Sequence, residues 1–142
     1  MDIAVQQSLR NWLDTFARCV REQDVASGRA MFSDDVIGYG TWADRMVGMD
    51  SLFDNQWSNV WPRTEGFTFD QEHADFWPDN AEQPTQCTIA ALWSSTGAGE
   101  DGECVKREGR STIVLQRDPG GEWYATHTHF SFFPHNNLTG TM

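Results

Sequence analysis

Residues 110–134 read RSTIVLQRDPGGEWYATHTHFSFFP, and this stretch decides the fold. Ser111, Ile113 and Leu115 face one side of a strand, with Thr112 and Val114 on the other, because side chains alternate along an extended chain. Asp118-Pro119-Gly120-Gly121 then supplies what a tight reversal needs, a preset φ at proline and free φ at the glycines. A second strand runs from Glu122 to about Phe133. Two long strands joined by a short turn form an antiparallel hairpin.

Working outward, Cys87, Ile89, Ala91, Trp93 and Ser95 alternate in another strand, and Phe67 and Phe69 open one more. Gly97–Gly102 reads as a turn, with Glu100, Asp101 and Glu103 as solvated acids. Residues 76–86 (FWPDNAEQPTQ) read as a flexible loop.

The N-terminal third is helical. Val5, Leu9, Trp12, Leu13, Phe16 and Val20 fall three and four apart, forming one apolar stripe with Cys19 beside it. Asp24 caps a short second helix carrying Val25, Gly28, Met31 and Phe32, which the Asp34-Asp35 pair breaks. A strand from Val36 to Trp42 contains Gly38 and Gly40, two apart and therefore bare on one face. A third helix spans about Met49 to Trp61 and stops at Pro62.

Helices first and hairpin-linked strands after argue α+β, with a strongly curved, mostly antiparallel sheet forming a cone against the N-terminal helices. The 142 residues fit one domain spanning 1–142, at ~100–200 residues per domain. Ten basic and twenty-one acidic residues leave a net charge of −11, which disfavours nucleic acid and anionic membranes as partners. Three scattered cysteines suggest neither a disulfide framework nor a zinc knuckle. The N-terminus (MDIAVQQSLRNW) lacks the order of a signal peptide and no apolar run reaches ~18 residues, so a cytoplasmic location is expected. Seven tryptophans and nine phenylalanines exceed what a small core requires. They either line a cavity or subunit interface, or fill the core outright.

Four segments, DTFARCVREQDVASGRAMFSDDVIGYGT, GMDSLFDNQW, GRSTIVLQRDPGGEW and WYATHTHFSFFP, resemble in order and spacing the nuclear transport factor 2-like superfamily, in particular its SnoaL-like branch. The last is also similar to the end of the calcium/calmodulin-dependent kinase association domain. The resemblance implies a conical α+β barrel with a pocket inside the curved sheet and a homodimer through its outer face. It implies no reaction, since members include isomerases, dehydratases, cyclases and non-catalytic domains.

Ketosteroid isomerase, a relative within that superfamily, needs a carboxylate base, a tyrosine and a protonated acid. The resemblance lays these on Gly40, Phe16 and Ile113, none of which can serve. His127 and His129 remain as candidates for general acid/base work, with Thr128 orienting the substrate. In the implied register Thr126, Thr128 and Phe130 point into the pocket, and the two histidines and Ser131 point out to a dimer partner. A β-bulge would exchange those faces.

A metal would need a third and fourth ligand, with only His73 and scattered acids on offer, so no metal and no cofactor are expected. The implied pocket takes Phe16, Trp57, Trp61, Trp93, Ile113, Thr128 and Phe130, with Ile89 and Ala91 on one wall and Trp42 at the rim. Arg110, or Arg117 at the other end of its strand, could meet an anionic ligand. Three readings stand. One is a binding domain for a small hydrophobic or aromatic ligand, the second a cofactor-independent isomerase, dehydratase or cyclase, and the third an association module.

Overall fold

The computed structural model describes residues 1–98 and 101–134. Helix α1 (Ile3–Glu22) begins where the Asp2 carboxylate accepts the Ala4 N–H at 2.9 Å, and it buries the expected stripe together with Ala17 and Cys19. It ends at Gln23, whose left-handed backbone (φ 58°) turns the chain and whose side-chain amide donates to the Trp61 carbonyl at 2.7 Å. Helix α2 (Val25–Arg29) is capped by Asp24. It is shorter than expected. Phe32 already belongs to strand β1 (Phe32–Tyr39), and Asp34 and Asp35 sit exposed within that strand where its pairing slips.

Strand β2 (Met46–Val47) leads into an irregular helical stretch. This comprises α3 (Met49–Leu52), a π-turn (Phe53–Trp57), α4 (Ser58–Val60) and a 3-10 turn (Trp61–Arg63). Pro62 lies inside the last turn, where no helical N–H is needed from it. Strands β3 (Thr64–Phe69), β4 (Asp75–Pro78), β5 (Gln86–Ala98), β6 (Cys104–Arg117) and β7 (Trp123–Phe132) follow.

Residues 76–86 are more ordered than expected. Phe76 to Pro78 pair with β5, and the Asp79 carboxylate accepts from the Thr85 and Gln86 N–H groups at 2.9 and 3.1 Å and from the Thr85 hydroxyl at 2.6 Å. Those bonds hold the Asp79 carboxyl below the usual carboxylate range, the Thr85 hydroxyl contributing most.

The strand order is β2-β1-β7-β6-β5-β3, with β4 also on β5. Among the described residues only β1 and β7 run parallel. The fold is α+β and cone-like, but the sheet does not close into a barrel, because β2 and β3 are not paired with each other. Its curvature is visible at a single ring. Phe16 of α1 lies 5.3 Å from Phe32 of β1, 6.4 and 6.5 Å from Phe67 and Phe69 of β3, and 6.4 Å from Phe130 of β7. Strands far apart in the sheet order thus converge on one side chain.

A bulge in β7 decides which way its later residues point. Leu115 pairs with Ala125 and Val114 with His127, which leaves Thr126 as the extra residue. Trp123 and Ala125 are buried before it, and Thr128 after it. Without the bulge, His127 and His129 would share the inner face with Trp123.

Candidate functional site

The open end of the cone holds a cleft of about 70 Å³. At ~10–15 Å³ per water, that is room for roughly five water molecules or one flat ring. Its walls are Phe16 and Val20 of α1, Trp57, Val60 and Trp61 of the helical stretch, and Phe67, Trp93, Phe130 and Phe132 of the sheet. The rings support one another. Trp57 and Trp61 stack at 4.4 Å and 20°, and Trp93 stacks on Phe67 at 5.8 Å and 28°. Each such pair is worth ~0.5–1.5 kcal/mol beyond its burial, so the walls form a preformed surface.

Glycines make room for these walls. The Trp93 indole crosses to its partner Gly109, where any Cβ would overlap the ring, and its Nε1 donates to the Arg110 carbonyl at 3.2 Å. Gly28 is covered by Trp57 and Trp61, whose Cη2 lies 2.9 Å from where a Cβ would stand.

Gly38 and Gly40 do leave one face bare, and side chains fill it. Leu52 and Thr128 lie over Gly38, and the carboxamide of Gln56 lies over Gly40. Gln56 comes from the π-turn and is buried. Its Oε1 accepts from the Trp42 and Ala43 N–H groups, each at 3.0 Å, while its Nε2 donates to the Thr41 hydroxyl at 3.0 Å. One side chain therefore satisfies three polar groups of the β1–β2 loop and occupies the place where a side chain at residue 40 would enter the cone.

The polar groups around the cleft are few. Thr64 donates to the Val60 carbonyl at 2.7 Å, and Thr41 and Gln56 serve each other. Ser95 and Arg107, a cross-strand pair, complete the lining. No carboxylate, imidazole, phenol, thiol or amine lines the cleft among the described residues; Arg107 is its one ionisable side chain.

The structure brings together five of the residues named from the sequence, namely Phe16, Trp57, Trp61, Trp93 and Phe130. Three stand elsewhere. Ile113 and Ile89 are fully buried in the core and Ala91 nearly so, and none of them lines the cleft. Thr128 is buried against Gly38, deeper in the cone. Trp42 is 60% exposed, with Arg63 over its ring at 5.5 Å, and does not line the cleft. Arg110 is exposed and pairs with Leu92 and Ser131 on the outer side of the sheet, so alternation excludes it from the cleft. Arg117 stays in its hairpin, donating to the Gly121 carbonyl and lying over Trp123.

Sequence reasoning missed Gln56 and Arg107, although both had a signal. Gln56 falls four residues from Leu52 and from Val60 on the helical stripe. Arg107 continues the inner series Leu115, Ile113, Ser111, Gly109 by strict alternation, once β6 is seen to begin at Cys104.

His127 and His129 lie on the outer face. The Nδ1 of His127 meets the Ile37 carbonyl at 2.6 Å and so carries the proton, and both imidazoles stand edge-on to Tyr39, at 5.0 and 5.5 Å. Of the bulged and following residues Phe130 and Phe132 reach the cleft, whereas the Thr126 hydroxyl donates to the Val114 carbonyl at 3.4 Å. His73 is exposed and pairs with Asp70 at 2.8 Å, which raises its pKa and lowers that of Asp70. Asp101 and Glu103 are exposed, while Glu100 and His135 lie outside the described residues. Burial pushes the Cys19 thiol up and that of Cys87 up to about 11, so neither offers a thiolate near neutrality. No group of three His, Cys, Asp or Glu that could hold a metal occurs among the described residues.

Solved structures share this architecture. A nuclear transport factor 2-like superfamily protein from Salmonella enterica serovar Typhimurium is 15% identical and superposes with a TM-score of 0.76, over 98% of each chain. A ketosteroid isomerase-like protein from Erwinia carotovora atroseptica is 13% identical, with a TM-score of 0.71 over 89% of this chain and 94% of its own. A chain from Xanthomonas campestris named for the calcium/calmodulin-dependent protein kinase II association domain is 12% identical, with a TM-score of 0.71 over 85% and 82%. At these identities the likeness is one of fold. No curated protein matches the sequence. A SnoaL-like domain model, however, matches residues 9–135, nearly the whole of the helix-and-cone unit, and the chain belongs to the SnoaL-like domain family.

Proposed function

We propose that this chain is a one-domain, dimeric binding protein for a small, flat, apolar or aromatic molecule, taken up in the cleft between α1, the helical stretch and the sheet. The observation that carries this reading is the composition of the cleft, with aromatic rings from α1, the helical stretch and the sheet and, among the described residues, no carboxylate, imidazole, phenol, thiol or amine. General acid/base chemistry needs such a group within ~2.6–3.2 Å of the substrate. The only histidines named as candidates face the other way.

The dimer half of the reading is supported by the outer face. Tyr39, His129, Thr112 and Ala90 lie in one register row, and Leu92 and Val47 are exposed nearby. A half-apolar sheet face of this kind suits a second copy of the chain. The fold neighbour named for an association domain points the same way.

Thermal melting with millimolar one-ring aromatics, charged and neutral, tests the binding reading. A ligand at ten times its Kd adds about 1.4 kcal/mol of stability. We expect at least one member to raise Tm, and Val60→Trp, which fills the cleft, to abolish the rise. A panel without effect, or a filled variant that responds equally, would contradict it.

A further inference from the structure

We infer that the ligand of this cleft is an anion, an aromatic carboxylate whose charge is held by Arg107. This rests on the reading of the cleft as a ligand site. Three observations carry it. Arg107, half-buried, belongs to the inner series of β6 and lines the cleft among Phe67, Trp93, Phe130 and Phe132. Its guanidinium is seated, since it lies across Gly97 of β5, where any Cβ would overlap Cζ and Nε. The backbone of Gly97 is not left-handed, so glycine is needed there for room and not for its φ.

The third observation concerns partners. Arg107 makes no ion pair with the described residues, and its one hydrogen bond is a 3.3 Å donation from Nη2 to the Ala98 carbonyl. Among the described residues most of its five donors therefore have no acceptor, and a planar acceptor suits them. Ser95, buried and opposite Arg107 in the β5–β6 ladder, contributes a hydroxyl to the same lining. Guanidinium meets carboxylate in a two-point fork, which fixes the ring of such a ligand toward Trp93 and the Trp57–Trp61 stack. The net charge of −11 does not forbid this, because screening beyond ~8–10 Å leaves the contact pair as the deciding term.

Calorimetric titration with benzoate and benzamide, which match in shape and differ in charge, tests the inference on the full chain. We expect benzoate to bind at least ~10-fold tighter, the worth of a charge-assisted hydrogen bond. Arg107→Gln should remove the preference, and Arg107→Lys should keep part of it. Melting curves establish that the variants are folded. Equal binding of the two probes, or a preference that survives in Arg107→Gln, overturns the inference and leaves the binding site standing. Binding of neither probe overturns both.

Discussion

The carboxamide of Gln56 lies directly over the α-carbon of Gly40, close enough that any side chain at residue 40 would overlap it. In the resemblance to ketosteroid isomerase, residue 40 is where the catalytic carboxylate would stand. Here that space belongs to a neutral amide that ties Trp42, Ala43 and Thr41 to the helical stretch. The position to which the resemblance assigns a base thus carries a glycine under a filled site.

Gly40→Ala is accordingly expected to destabilise the protein by about 1–3 kcal/mol, either by overpacking or by displacing the amide from its three partners. Urea unfolding followed by far-UV circular dichroism measures it. A variant as stable as the parent would mean that Gln56 can swing aside without loss.

Because the Thr126 bulge turns the imidazoles outward, His127→Ala and His129→Ala should leave binding of one-ring aromatics unchanged. His127→Ala should also cost about 1 kcal/mol through the lost bond to the Ile37 carbonyl. Nitrogen-15 spectra of the parent should show the His127 proton on Nδ1. Loss of ligand binding in either variant would place an imidazole in the site.

Phe132 stands exposed at the rim of the cleft, whereas Trp57 is buried in its wall. Phe132→Ala should weaken ligand binding with little change in Tm. Trp57→Ala should cost about 3–5 kcal/mol of stability, as a large core truncation does. Titrations paired with melting curves separate the two effects.

Tyr39 and Leu92 lie on the outer face, away from the cleft. Replacing both by arginine should halve the mass measured by light scattering while far-UV circular dichroism stays unchanged. A parent that is already monomeric would contradict the proposed dimer.

The three cysteines differ in access, with Cys104 exposed and Cys19 and Cys87 buried. Iodoacetamide at pH 8 should label Cys104 first, as read by intact mass. Because burial raises the Cys87 thiol from 9.0 to about 11, its contribution to stability is complete below pH 9.0 and lost as the pH rises toward 11. Cys87→Ala should flatten that part of the pH profile.

The elements that repeat were legible in the sequence. The stripe of α1 and the alternation of β5 and β6 follow directly from spacing, and the Asp118–Gly121 turn from its residue types. Hidden were the features set by irregularity. Nothing local marks Thr126 as a bulge, yet it decides the facing of His127 and His129. The π-turn at Phe53–Trp57 puts Gln56 and Trp57 side by side in the interior, which an even 3.6-residue period does not describe. The strand end at Cys104 was obscured by charged residues, and with it the inward series that includes Arg107.

The central claim is that the aromatic cleft is a small-molecule site. The most direct test is the set of indole N–H signals in a nitrogen-15 spectrum during titration with benzyl alcohol. Trp57, Trp61 and Trp93 line the cleft, while Trp42 and Trp77 are exposed away from it. Saturable shifts at the first three, with Trp42 and Trp77 still, are the predicted result. Shifts confined to Trp42 and Trp77, or none at all, would contradict the account.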